Sequence, residues 1–229
     1  MNYQAIERRL PRYLRRHILH FESAIDDSLT GFVSTLGRHA RVLDAGAGER
    51  VHAKYFQGHH YVAIDLAIGD TSWDYGKLDA IADLTALPFR EASFDACINI
   101  VTLEHVHEPA CALREIERAL KPGGRLLLIV PHEWEVHQSP HDYFRYTRNG
   151  VAYLLKKAGF LEFDIQPVGG YFRLISRRLL NGLQFFPGPL FFLAALFLAP
   201  PAMILPWFDA LDRERNFTLG YICTARKRS

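Results

Sequence analysis

Four short apolar runs, "ARVLDA", "HYVAIDL", "FDACINIV" and "GRLLLIVP", recur between residues 40 and 131. Between and after them, "CALREIERAL" and "GVAYLLKKAGF" carry apolar residues at helical spacing, with Thr147 placed to cap the second. Strand and helix in alternation predict a parallel sheet covered on both faces, because each strand must be crossed over by a helix before the next can lie beside it. Two later runs, "FLEFDIQPV" and "FTLGYICTA", also read as strands. At 229 residues the chain is long enough for one large core with an appendage.

The chemistry starts at "VLDAGAGER", a buried strand that ends in an acid and is followed by Gly46 and Gly48. Glycines there allow a tight turn and a close approach of ligand to backbone. A glycine pair alone is weak evidence. The next strand, however, ends in Asp65, 21 residues after Asp44, where an acid can accept hydrogen bonds from ribose hydroxyls. The pattern predicts a nucleoside. A dinucleotide fits poorly, since the third glycine of G-x-G-x-x-G falls on Val51 and Asp44 can pair with an amino group that a pyrophosphate lacks.

Taken together, residues 40–168 resemble the class I S-adenosylmethionine-dependent methyltransferases, of the type 11 methyltransferase domain kind. "LDAGAG" is similar to that family's first motif and "AIDL" to its second; "ADLTALPF" resembles the adenine-side segment. "SFDACINIVTLEHV" resembles the fourth-strand motif, and "LREIERALKPGGRLLLIVP" the helix, glycine turn and fifth strand. The resemblance implies a Rossmann-like seven-stranded α/β sheet, mostly parallel with the last strand antiparallel. An N-terminal helix would precede it, and a hydrophobic helical insert would come before the last strand. It also implies S-adenosyl-L-methionine as cofactor. Asp44, Gly46 and Gly48 would surround its methionine part, Asp65 with Leu66 its ribose, Asp83 and the Leu84 backbone its adenine. Asn99, with Ile100, would line the floor near the sulfonium. One departure is Arg50, where family members often carry a further glycine.

Methyl transfer requires the acceptor to be held in line with the methyl, and an oxygen or nitrogen acceptor can require a general base. Candidates lie just past the fifth strand in "PHEWEVHQSPHDYFRYT", which gathers His132, Glu133, Glu135, His137, His141, Asp142, Tyr143, Arg145 and Tyr146. His137 or His141 is expected as the base, with Arg145 binding an anionic acceptor group; His105 in "LEHV" is the lesser candidate. "HEWEVH" has one residue too many for the H-E-x-x-H zinc helix, so no metal is expected. Part of this stretch is equally explained as a polar loop whose side chains bond to backbone.

The chain divides on this reading into an amphipathic helical segment (1–39), the methyltransferase domain (40–182 and 209–229) and an insert (183–208). Leu14, Ile18, Phe21, Ile25, Leu29, Phe32 and Leu36 form the stripe of the first segment, with Pro11 opening its helix. Arg8, Arg9, Arg12, Arg15 and Arg16 crowd that end against the single acid Glu7. They fit a solvated face or an external anionic surface. A net charge of +2 gives no argument for nucleic acid. Cys97, Cys111 and Cys223 lack metal-site spacing and suit a reducing compartment, and no apolar h-region follows the arginines, so a cytoplasmic catalytic part is expected.

The insert, "LQFFPGPLFFLAALFLAPPAMILPWF", has 26 residues and no charge. Prolines leave only Leu190 to Ala199 uninterrupted, the length of an interfacial, re-entrant or buried helix. An insert between two neighbouring strands must return to the side it left. The expectation is therefore a helix–turn–helix with Pro200-Pro201 at the turn, dipping into the inner leaflet as a peripheral or monotopic element. Arg173, Arg177, Arg178, Arg213 and Arg215 flank it, as suits anionic lipid. The acceptor would then be amphipathic or lipid-linked, methylated preferably on oxygen. The alternatives are a soluble small-molecule or sugar methyltransferase using the insert as lid or dimer interface, and a non-catalytic scaffold of the same fold.

Overall fold

The computed structural model describes residues 12–70 and 72–229. Its strands are β1 (Arg41–Ala45), β2 (His60–Asp65), β3 (Ala80–Ile81), β4 (Phe94–Ile100), β5 (Leu120–Pro131), β6 (Glu162–Val168) and β7 (Gly220–Arg226). They form one seven-stranded sheet in the order β3-β2-β1-β4-β5-β7-β6. β1 is parallel to β2 and β4, β2 to β3, and β4 to β5, while the last strand is antiparallel. The α/β sheet expected from the strand–helix alternation is therefore present. The central strands are buried on both faces, with every residue from Leu126 to Pro131 inaccessible, which is why they read as unbroken apolar runs.

The helices are α1 (Arg12–Ile18), α2 (His20–Ser34), α3 (Pro109–Ala119), α4 (Arg148–Ala158), α5 (Tyr171–Gly182) and α6 (Pro189–Ile204). α3 buries Ala112, Leu113, Ile116 and Ala119, one face at helical spacing. Thr147 caps α4 by accepting from the Gly150 N–H at 3.0 Å, and Gly159 ends it in the left-handed conformation. β5 begins at Leu120, four residues before the apolar run that signals it. The ladder slips there: Phe94 pairs with Leu120 but Ala96 with Arg125, so Lys121–Gly124 are accommodated as a bulge with Gly123 at positive φ.

Two compact units divide the chain, and they differ from the expected boundaries. One comprises Ser28–Gln166 with Tyr221–Ser229 and holds the sheet and α3 and α4. The other comprises the chain up to Asp27 and Pro167–Gly220. The insert is thus larger than its charge-free part, because α5 belongs with it. Polar contacts tie this second unit together: Arg177, buried, pairs with Glu22 at 2.7 Å, and Arg173 with Asp209 at 3.3 Å. Asp209 also accepts from the Gly170 N–H at the start of α5. Arg16 pairs with Asp27 at 2.8 Å; Arg8, Arg9 and Pro11, and the side chains of Arg12 and Arg15, lie outside the described residues.

The turn of the helical hairpin also differs from expectation. It falls at Pro187-Gly188, where Gly188 has φ 58°, and α6 runs on through Pro200 and Pro201. Together with the 3-10 turn Leu205–Leu211 this gives a segment, Pro189–Leu211, long and apolar enough to cross a membrane by length and composition, and mostly exposed. Proline leaves its mark further on. Pro206 has no N–H for the carbonyl of Ala202 four residues back, and the Ser176 hydroxyl donates to that carbonyl instead, at 2.5 Å. Met203 is served likewise by the His17 ring at 2.5 Å. Ser176 and Ala202 are both buried. Ser176→Ala is expected to cost about 1–3 kcal/mol by stranding the Ala202 carbonyl, read as a lower urea midpoint; an unchanged midpoint would show the carbonyl is satisfied otherwise.

Candidate functional site

The chain leaves β1 outward to β2 and β3, then returns to β4 on the other side of β1, so a crevice opens at the strand ends between β1 and β4. The glycine turn lies there. Three successive backbone N–H groups are bound to the end of β2: Gly46 and Ala47 donate to the Ile64 carbonyl, both at 2.9 Å, and Gly48 to the Asp65 carboxylate at 2.9 Å. Asp65 also accepts from the Ala67 N–H at 2.8 Å. Gly46 has φ 92°, and a Cβ on it would fall 2.1 Å from the Thr102 methyl beyond β4. Only glycine fits.

Asp44 is fully buried. One oxygen accepts from the Tyr61 hydroxyl; the other, Oδ1, has no partner. Burial raises its carboxyl from the usual range to about 7, opposed by the Tyr61 hydrogen bond and Arg50 and reinforced by Asp65. Cys97, buried beside it, is the other titratable neighbour. An unpaired buried acceptor at a glycine cradle fits the ammonium of an amino-acid moiety. Arg50 occupies a left-handed position, φ 60°, which explains why glycine is usual there. Its guanidinium donates to the Lys77 carbonyl at 2.5 Å and lies 5.5 Å from the Tyr61 ring, over the phenol that binds Asp44.

The remaining expected cofactor residues are placed as follows. Asp83 closes a turn through Oδ1 on Thr85, next to buried Leu84. Leu66 is exposed. Asn99 is buried and donates to the Ala45 carbonyl at 2.7 Å, holding the tip of β1, while its own Oδ1 has no partner. Trp73 was not singled out by sequence; its ring would meet a Cβ on Gly48 at 3.3 Å, so it walls the glycine turn. A cavity of about 550 Å³ between α2 and β5–β7 contains none of these residues.

Past β5, the loop gathers around Glu104 and His105, which the 3-10 turn Leu103–His105 presents after β4. His105 Nε2 faces His137 Nε2 at 3.1 Å, and a Glu104 oxygen lies 3.8 and 3.9 Å from these two atoms. Glu104 is 0% exposed and neither oxygen has a partner; burial raises its carboxyl to about 8. His141 meets the Tyr143 hydroxyl through Nδ1 at 3.1 Å. Tyr146 donates to the Leu103 carbonyl, locking the loop to the turn after β4. Of this group, sequence spacing brings out His137 and His141 but not Glu104.

Arg145 does not stand as expected. Its five N–H groups reach Asp142 twice, at 2.6 and 2.8 Å, and the carbonyls of Trp134, Glu135 and Phe144. No donor remains for an anionic acceptor group. The arginine staples the loop, and the Asp142 carboxyl beside it is held down at about 2.

The family described as "Methyltransferase domain" matches residues 43–128. A ubiquinone biosynthesis O-methyltransferase of Xylella fastidiosa is 38% identical over 180 residues, covering 63% of this chain and 72% of that protein. The chain belongs to the class I S-adenosylmethionine-dependent methyltransferases. A demethylmenaquinone methyltransferase of Renibacterium salmoninarum is 41% identical over 96 residues, 38% of this chain and 40% of that protein. The chain therefore spans about two fifths of the length of the first curated relatives it matches. In fold it is similar to 1,6-didemethyltoxoflavin-N1-methyltransferase of Burkholderia thailandensis, solved with S-adenosylhomocysteine, at TM-score 0.55 and 22% identity over 95% of this chain and 86% of that one. S-adenosylmethionine is the cofactor of this methyltransferase family.

Asp44 takes up a proton on folding, between the ordinary carboxyl range and about 7. Its contribution to stability is therefore present below pH 3.8 and lost as pH rises to about 7. Between pH 5 and 8, Asp44→Asn should gain on the wild type by about 2–3 kcal/mol. Parallel urea-melt curves for the two proteins at both pH values would contradict this.

Proposed function

We propose that this chain transfers a methyl group from S-adenosylmethionine to an oxygen of an amphipathic or lipid-linked acceptor at the cytoplasmic face of a membrane. The observation that carries the membrane part is the exposed apolar surface of the insert. Phe192 is 76% exposed, Leu196 67%, Phe197 69% and Trp207 75%. Apolar patches of this kind mark an interaction surface. Arg213 and Arg215 follow the segment, as suits anionic lipid. Relatives named for demethylmenaquinone and for ubiquinone biosynthesis support an acceptor with an apolar part.

When bound, the cofactor supplies an electrophilic methyl. The chain's own residues then have positioning roles. Asp44 Oδ1 would accept from the ammonium, Asp65 from the ribose hydroxyls and Asp83 from the adenine amino group, with Gly46 and Gly48 allowing the backbone a close approach and Asn99 lining the floor. Asp65 retains acceptor capacity beyond its two backbone bonds, since an ionised carboxylate offers about four lone-pair sites. His141 takes the proton of the acceptor hydroxyl. Of the two histidines considered as base it is the better placed, because both ring nitrogens of His137 are engaged, Nε2 by His105 and Nδ1 by the Glu135 carbonyl.

Asp65→Ala is expected to weaken S-adenosylmethionine binding by about 1.5–3 kcal/mol in isothermal titration; unchanged affinity would refute the ribose role, and no binding by the wild type would favour a non-catalytic scaffold. The intact protein should sediment with anionic vesicles at low salt, and replacing Phe192, Leu196 and Phe197 with serine should abolish this. A protein that stays in the supernatant as a dimer would assign the apolar surface to a second copy. Label from the cofactor should enter a whole-cell lipid extract; label confined to the aqueous extract would overturn the lipid acceptor.

A further inference from the structure

We propose that Glu104, His105 and His137 form a binding site for one divalent transition-metal ion of the zinc class. The argument begins with hydrogen bookkeeping. His105 Nδ1 lies 2.6 Å from the His141 carbonyl, which can only accept, so this nitrogen carries the ring proton. His137 Nδ1 lies 3.1 Å from the Glu135 carbonyl. Arg145 Nη2 also approaches it, at 3.4 Å, but both hydrogens of that nitrogen are committed to Glu135 and Asp142 at 2.6 and 2.8 Å. His137 Nδ1 is therefore a donor as well. Both Nε2 atoms then point lone pairs at one another across 3.1 Å, beside a Glu104 carboxyl to which neither ring donates. With Glu104 ionised, three acceptors converge and neither ring donates to the carboxylate.

A proton shared by the two rings would satisfy the nitrogens only. The carboxylate oxygen, at 3.8 and 3.9 Å, is beyond hydrogen-bond reach of both. A metal ion answers all three. Ligand atoms each about 2.0–2.1 Å from a tetrahedral ion stand about 3.3 Å apart, close to the separations found. Two imidazoles and one carboxylate are a donor set for zinc or its neighbours, whereas magnesium and calcium prefer oxygen throughout. The outer contacts fit too: each histidine is oriented by an oxygen on its far nitrogen, and Asp142, pinned by Arg145, lies 3.6 Å from His137 Nδ1. Three protein ligands leave a fourth position for water or an acceptor hydroxyl.

The site departs from the expectation of no metal, which rested on the spacing of "HEWEVH". Only His137 of that stretch takes part; its partners come from the turn after β4. The binding claim stands independently of the methyl-transfer reading, since its readout is the metal alone. The full chain, stripped with chelator, should bind one equivalent of Zn²⁺ by isothermal titration and elemental analysis, with Mg²⁺ failing to compete. Glu104→Gln and His137→Ala should each weaken Zn²⁺ at least 100-fold, and His107→Ala, an exposed histidine nearby, less than threefold. Should either ligand variant fail to fold, Co²⁺ in the wild type decides: visible bands of a four-coordinate ion support the site. Absence of stoichiometric Zn²⁺, affinity unchanged in the ligand variants, or a Co²⁺ spectrum of the hydrated ion would overturn it.

Discussion

The site hangs on the attachment of the glycine turn to the end of β2. Gly46, Ala47 and Gly48 give their N–H groups to Ile64 and Asp65, so the turn cannot open without breaking three bonds at once. Thr102 fills the space left by the missing Cβ of Gly46 and returns its hydroxyl to the Gly46 carbonyl at 3.1 Å. Strands β1, β2 and β4 thereby fix one another's tips. A shift of register in any of them would move Asp44, Asp65 and Asn99 relative to one another. The fold satisfies its own backbone groups here and leaves unpaired oxygens on Asp44 and Asn99. A buried oxygen without a donor is costly, and a ligand that supplies the donor offsets that cost.

The same economy of donors shapes the loop after β5. Arg145 spends every N–H on Asp142 and three carbonyls, which closes the loop into a rigid cup. Tyr143 and Phe144 give their N–H groups to the Glu104 carbonyl, joining the cup to the turn after β4. The Glu104 side chain, by contrast, receives nothing. The loop thus satisfies its peptide groups while Glu104, His105 and His137 are left facing one another.

Legibility in the sequence followed the range of the interaction. Strand runs, the helix cap at Thr147 and the glycine turn are local, set by period and backbone geometry, and could be read directly. Asp44 and Asp65 were legible because a strand end is a fixed address in this fold. Tyr61 was not, since its pairing with Asp44 depends on the register of β1 against β2. Glu104 and His137 are 33 positions apart and meet only once β4 and β5 are neighbours. Arg145 reads as a free cation in a polar loop, and only the surrounding carbonyls show otherwise. Pro200-Pro201 reads as a turn, yet α6 continues through it, the turn falling instead at Gly188 with its positive φ.

The insert is constrained by what it returns to. β6 and β7 are neighbours in the sheet, so both ends of the intervening chain lie on the same side of any bilayer it meets. One crossing by the segment Pro189–Leu211 is incompatible with that, however suitable its length. Two crossings would require α5 as the second leg, and α5 carries Arg173, Arg177 and Arg178, with Arg177 already buried against Glu22. Each cation at the hydrocarbon centre costs about 2.5–3.5 kcal/mol on insertion scales, and the Glu22 pairing would be lost as well. An apolar leg beside a charged one, joined at Pro187-Gly188, suits a hairpin lying in the headgroup boundary with one helix submerged. On the proposed membrane reading, the charge pattern of α5, more than the hydrophobicity of α6, therefore favours resting on a bilayer over spanning it.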